Sequence, residues 1–346
     1  MKNLLFAVLL TFALALPAGA AEISAPEVPE SGQSFMPAET EDFGGGLAEL
    51  LEKALLAVNP ELKTCVQSCA GILLTALLLT AVTVLWEQSA RGAAAAASAA
   101  ILVLLFRNTD TLIALASDTL QGLCQYGKLL CLVMTTALAA QGAAVSSAAL
   151  YTGTAVFSAL LGSLMERLFV PLVYVFVIFS AAGSALGEEA LRKLAETIKS
   201  LLSWLLKTLL IGYTTYMSVT GVITGTTDAA AMKAAKVTIS TAVPVVGGIL
   251  SDASEAVLVS MGLVKNAAGI YGILAALAVF IGPFLKVGIQ YLGLKTTAGL
   301  CSLFAAKPIS NLIGDASSAM GLLLGMLAAA CTMVLVSTVC FLKGAA

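Results

Sequence analysis

Histidine is absent from all 346 residues, and Asp, Glu, Lys and Arg together make up only 11% of them. Without imidazole there is no Ser–His–Asp or Cys–His nucleophile pair and no histidine-ligated metal or haem site. The side chain that titrates near neutrality is missing as well. A soluble globular protein carries about 25% charged residues, more than twice the share present here. With 59% hydrophobic residues and so little charge to cover them, the chain is an integral membrane protein. No glycine-rich loop ends in Gly-Lys-Ser/Thr, so any ATP hydrolysis must come from a partner. No basic cluster is large enough to grip nucleic acid through its phosphates. Cysteine is sparse, odd in number at seven, and absent from the N-terminal leader, which argues against a disulfide framework. Cys65 and Cys69 stand one helical turn apart and read as small packing residues, because two thiols alone make a poor metal site. No catalytic residue, metal ligand or cofactor-binding motif stands out, and the chain reads as a non-enzyme.

What is present is organised from the N-terminus inward. Residues 1–21 read as a signal peptide: Lys2 gives the positive start, Leu4–Leu16 the apolar stretch, and Ala18-Gly19-Ala20 the small-residue cleavage site. An uncleaved first anchor is the alternative. Residues 22–64 form an acidic extracytoplasmic segment. Its first part, 22–46, contains Pro26, Pro29, Pro37 and Gly44-Gly45-Gly46 and reads as a flexible linker. Leu47–Val58 then places Leu47, Leu50, Leu51, Ala54, Leu55 and Val58 at helical spacing. This is the pattern of a short amphipathic helix on the membrane face or on a partner.

Residues 65–346 read as a polytopic transmembrane domain, an all-α helical bundle of about seven spans (six to eight). Uncharged runs at Cys69–Trp86, Leu168–Gly187, Thr208–Thr227, Asn266–Leu285 and Ala316–Leu342 are each long enough to cross a hydrocarbon core of about 30 Å. Gly92–Phe106 is shorter, with Arg91 and Arg107 able to snorkel from its ends. Leu129–Met165 is too long for one ordinary helix, so it suggests a span and a returning half-helix broken near Gly142 or Gly153. Val237–Ser251 carries Pro244 and Gly247-Gly248, which suits a broken or re-entrant segment shielded by protein. Between spans, residues 188–207 divide into a charged face (Glu189, Arg192, Lys193, Glu196, Lys199, Lys207) and a leucine-rich one. That division fits an interfacial amphipathic helix, serving either as a lateral partner surface or as a connector.

Leu115–Thr119, Leu250–Ser254 and Ile313–Ser317 share an apolar–small–Asp–small–Ser/Thr shape, read as ordinary helix N-capping or as a trace of duplication. Gly183/Gly187, Gly221/Gly225 and Gly321/Gly325 permit close helix approach. Lys286 and Lys207 are the deepest cations, and neither has an acidic partner nearby in sequence. Such a small complement of intramembrane acids weighs against a proton- or sodium-coupled carrier.

The run Lys233-Ala-Ala-Lys-Val-Thr-Ile-Ser-Thr-Ala-Val-Pro-Val-Val-Gly-Gly-Ile-Leu-Ser-Asp-Ala-Ser-Glu-Ala resembles the stage III sporulation protein AE family of spore-forming bacteria. Lys265-Asn266-Ala-Ala-Gly-Ile-Tyr-Gly and Lys307-Pro-Ile-Ser-Asn-Leu-Ile-Gly-Asp315 extend the resemblance, which covers about residues 60–342. It implies a subunit of the sporulation channel, a secretion-like apparatus between mother cell and forespore, acting in assembly or as conduit rather than in catalysis. It also implies a mother-cell membrane around the forespore, with the leader extracytoplasmic. The implied partners are other stage III A proteins, among them a separate ATPase and ring-forming subunits, with stage II sporulation protein Q reached indirectly. The broken segment is the candidate pore lining or subunit contact, with Pro244, Gly247, Gly248, Asp252, Glu255, Lys265 and Asn266 as its residues. An autonomous solute permease is the alternative reading; an intramembrane enzyme is a third, without a convincing constellation of residues.

Overall fold

The computed structural model describes residues 26–40, 42–85, 90–140, 144–186, 188–219, 267–305 and 307–344. Among them helices predominate and there is no strand. After a single turn, α1 (Glu30–Gln33), come α2 (Phe43–Leu85), α3 (Ala90–Ala140) and α4 (Ala144–Leu164). A π segment, Met165–Phe169, leads into α5 (Val170–Leu186), followed by α6 (Glu189–Val219), α7 (Ala267–Phe304) and α8 (Lys307–Gly344). The π segment has a local cause. Pro171 has no N–H to return to the carbonyl of Arg167, and the helix widens immediately before it.

Among the described residues, four helical stretches are long and apolar enough to cross a membrane: Phe43–Val82, Tyr151–Ser184, Gly269–Phe304 and Lys307–Leu342. The expected spans at Cys69–Trp86, Leu168–Gly187, Asn266–Leu285 and Ala316–Leu342 fall on these four. The structure is therefore a helical membrane bundle, as the sequence indicates. At 1.5 Å per residue, α8 is roughly 57 Å long, about twice a hydrocarbon core, so the helices tilt or project beyond the bilayer. Gly153 lies inside α4, so no helix break occurs there.

α8 forms the axis. Its side chains from Ala319 to Leu335 are all buried, on every face, as expected of a helix apolar all round. Cross-contacts fix the directions of its neighbours. Ser310 Oγ donates to Ala298 O at 3.0 Å and Ser317 Oγ to Tyr291 O at 3.2 Å, so α7 runs antiparallel to α8. Tyr213 Oη donates to Met333 O at 2.9 Å and Lys199 Nζ to Ser318 Oγ at 3.0 Å, so α6 runs parallel to it. Residues 188–207 thus do not stand apart as an interfacial helix. They continue without a break into 208–219 and lie lengthwise along α8, burying Ala195, Leu202, Leu206, Leu210, Tyr213 and Met217 as one stripe.

The leader departs from the sequence expectation of a flexible linker. Asp42 caps α2 through the N–H groups of Gly44 (3.2 Å) and Gly45 (2.8 Å), so the triple glycine opens a helix. Gly46 lies against Leu274, where a Cβ would come within 2.6 Å of Leu274 Cδ1. Residues 28–38 fold back over α7 and α2. Lys53 Nζ donates to Met36 O at 2.6 Å, and the N–H of Ala38 donates to the Glu49 carboxylate at 3.0 Å. Gly32 sits on Val279, and Phe35 sits on Gly282. The helix expected over 47–58 carries on past Pro60 into the first span. Its acids and prolines suggested disorder, yet glycine contacts made far along the chain hold the segment in place.

Candidate functional site

The stretch 1–21 expected to be a signal peptide and all seven singled-out residues (Pro244, Gly247, Gly248, Asp252, Glu255, Lys265 and Asn266) lie outside the described residues. Within the described bundle, polar chemistry collects where α5, α6 and α8 meet. Asp315 projects from the third turn of α8, and Ser180 Oγ of α5 donates to its Oδ2. Three residues further along α8, Ser318 Oγ accepts from Lys199 Nζ of α6. The charges of Arg192, Lys199 and Glu196, all on α6, also act on Asp315. A void of about 10 Å³ adjoins the carboxylate, lined by Leu105, Thr109, Val177, Ser180, Asp315 and Ala316 among others. That is room for about one water.

The amphipathic pattern of 188–207 explains why these groups converge. Packing the apolar stripe of α6 on the bundle turns Lys199 toward α8, while Arg192 stays partly exposed and pairs with Glu196 on its own helix. An acid inside an apolar span is costly unless partnered, and here the Ser180 hydroxyl donates to it while the charges of Lys199 and Arg192 act on it from α6. The arrangement can tie three helices together and hold one proton or one water among them. Asp315 reads in sequence as an N-cap preceding its helix. The structure corrects this: α8 begins at Lys307, and Asp315 is interior to it. Asp118, in the related run, lies exposed within α3. The signal that could have marked Asp315 is its place as the acid within an otherwise uncharged run from Pro308 to Leu342.

A second polar contact joins α2 to α7. Lys286 Nζ lies 3.1 Å from Glu61 Oε1, which supplies the partner that sequence proximity could not. Nearby, Cys65 and Cys69 face Gly293, and Cys65 Sγ contacts Ile289 O at 3.4 Å. The two thiols are therefore buried packing residues at a close helix crossing. Among the described residues, no three Cys, Asp or Glu side chains converge where a metal ion could sit.

Comparison with known proteins adds a family. The sequence model described as stage III sporulation protein AE matches residues 37–344. The curated stage III sporulation protein AE of Bacillus subtilis (strain 168) is 23% identical over 222 residues, which is 62% of this chain and 56% of the relative. The match thus spans little more than half the relative's length. No solved structure matches the chain.

Proposed function

Because the chain belongs to the stage III sporulation protein AE family, we propose that it is a membrane subunit of the complex joining mother cell and forespore during sporulation. In this reading it resides in the mother-cell-derived membrane around the forespore. It assembles with other stage III A proteins, including a separate ATPase and ring-forming subunits, and with stage II sporulation protein Q indirectly. Its work is assembly, with any conduit formed between chains rather than through the described bundle. The family match along residues 37–344 carries the proposal.

Two features of the bundle support an assembly role over an autonomous permease. The axis is occupied by α8, packed on every side, and the polar groups at Asp315 stitch helices together around a void of water size. The outside is rich in large apolar side chains: Leu55 and Leu56 on α2 and Trp204 and Ile211 on α6 are more than half exposed. Such faces suit lipid or neighbouring subunits. The segment around Pro244 and Gly247-Gly248, outside the described residues, remains the candidate subunit contact on its sequence alone, because proline and paired glycines disfavour an unbroken helix and any backbone groups so freed must face protein or water.

The test is an in-frame deletion in the native host, complemented by a tagged copy. Arrest after engulfment, with other stage III A proteins recovered in detergent pull-down, is the expected result. Normal spores and a solitary protein would overturn the proposal. If Pro244→Ala combined with Gly247→Leu and Gly248→Leu left sporulation and complex recovery unchanged, the contact assignment would fall while the subunit role stood.

A further inference from the structure

A cavity of about 260 Å³ opens between α3 and the α4–π junction, away from the Asp315 cluster. Its α3 wall carries Gln121, Gln125 and Lys128, which recur at helical spacing on one face, and its opposite wall carries Ser163, Glu166 and Arg167. The π segment brings the last two to the rim together, directly beside Ser163, and widened helical turns of this kind often mark functional sites. The lining thus holds two cations, one on each wall, and one acid. The ion pairs among the described residues join Glu49 to Lys53, Arg192 to Glu196 and Glu61 to Lys286; neither Lys128 nor Arg167 takes part in one. The Ser163 hydroxyl donates to Leu160 O at 3.0 Å, and the amides of Gln121 and Gln125 complete a lining suited to an oxyanion.

The surroundings indicate what carries that anion. Leu129, next to Lys128, and Leu132, one turn beyond it, stand about half exposed on α3. Facing them on α4, Leu160 and Val156 are exposed one and two turns beyond Ser163. A polar pocket with free cations, opening onto an exposed apolar strip in a membrane protein, matches the two ends of a phospholipid. Basic pockets between membrane helices hold anionic headgroups in this way. We propose that this cavity binds the phosphate of an anionic phospholipid, with Lys128 and Arg167 on the headgroup and the acyl chains lying over Leu129, Leu132, Val156 and Leu160. Glu166 acts against binding and tunes it.

The test uses the full chain in detergent, with native mass spectrometry and thermal unfolding as readouts. The probes are phosphatidylglycerol, phosphatidylcholine and inorganic phosphate. Wild type is expected to retain phosphatidylglycerol in preference to phosphatidylcholine and to be stabilised by it. The double variant Lys128→Gln with Arg167→Gln is expected to lose about tenfold or more in binding. Glu166→Gln is expected to bind more tightly, a gain that a folding defect could not produce. Stabilisation by inorganic phosphate alone, abolished in the double variant, would move the source to a soluble phosphate and overturn the lipid assignment. Equal retention of both lipids, unchanged binding by the double variant, or weaker binding by Glu166→Gln would overturn the site itself.

Discussion

α8 and α2 are nearly alike in hydropathy and opposite in position. The most apolar windows of the two average 2.3 and 2.0, yet 94% of the first is buried within the protein against 28% of the second. The difference lies in the neighbours: α8 packs against α3, α4, α5, α6 and α7, and α2 mainly against α3 and α7. Small side chains do not separate the two. They are as frequent in α2 (Cys69, Ala70, Gly71, Thr75, Ala76, Thr80, Ala81) as in α8, which carries Ser317, Gly321, Gly325, Ala328-Ala329-Ala330, Thr332, Ser337 and Thr338 along its length. Small residues let neighbouring helices approach, and in a membrane close packing and interhelical hydrogen bonds drive association. α2 presents Leu74, Leu77 and Leu78 outward, with Ile72, Ala76 and Leu79 turned inward. Hydropathy alone therefore separates membrane from water but not axis from rim.

The largest expected effect comes from filling a close approach at the centre. A Cβ at Gly272 of α7 would meet Leu130 Cδ1 at 2.7 Å, and the Gly272 carbonyl accepts from Tyr126 Oη. Gly272→Leu should cost about 3 kcal/mol or more through overpacking, read as loss of the monodisperse peak in detergent size exclusion. Second comes the polar seam. Asp315→Ala removes the acceptor of Ser180 and the counter-charge to α6, and should lower stability by about 1–3 kcal/mol in thermal unfolding. Asp315→Asn, which keeps an acceptor, should cost less; equal effects would show that hydrogen bonding contributes nothing there.

Third, a double-mutant cycle on Glu61→Gln and Lys286→Met should return a coupling of about 0.5–1 kcal/mol, because both side chains are partly exposed. A coupling near zero would reduce that contact to a surface coincidence. The smallest effect belongs to the rim. Leu55 is 70% exposed, so Leu55→Ser should shift stability by no more than about 0.5 kcal/mol in detergent. A loss there as large as that at Gly272 would erase the distinction between axis and rim.

Much of this was legible in the sequence. Composition alone gave the membrane bundle, and the Ile313–Ser317 run drew attention to Asp315, although its role was misread. The reason is physical: an Asp beside small residues looks like an N-cap until one sees that Lys307-Pro308 starts the helix a full two turns earlier, as proline at a first turn allows. The Glu61–Lys286 pair was invisible because its members are far apart in sequence and belong to segments of different apparent character. The leader was misjudged for the same reason. Its acids and prolines are local signals, whereas Gly46 on Leu274 and Phe35 on Gly282 are long-range contacts. In contrast, the burial of Cys65 and Cys69 as packing residues followed directly from their lack of further ligands.

The central claim is that, among the described residues, α8 fills the axis and leaves no aqueous path along it. The direct measurement is thiol labelling in native membranes with a small water-soluble maleimide. It uses native Cys331, and single cysteines at Leu323, Leu327 and Val334 in a background freed of other thiols; Cys331 is only 1% exposed. The account predicts that all four α8 positions stay unlabelled, while a cysteine at Leu303, which is 81% exposed at the end of α7, reacts. Labelling at successive α8 positions would mean that water runs along the axis, and would contradict the account.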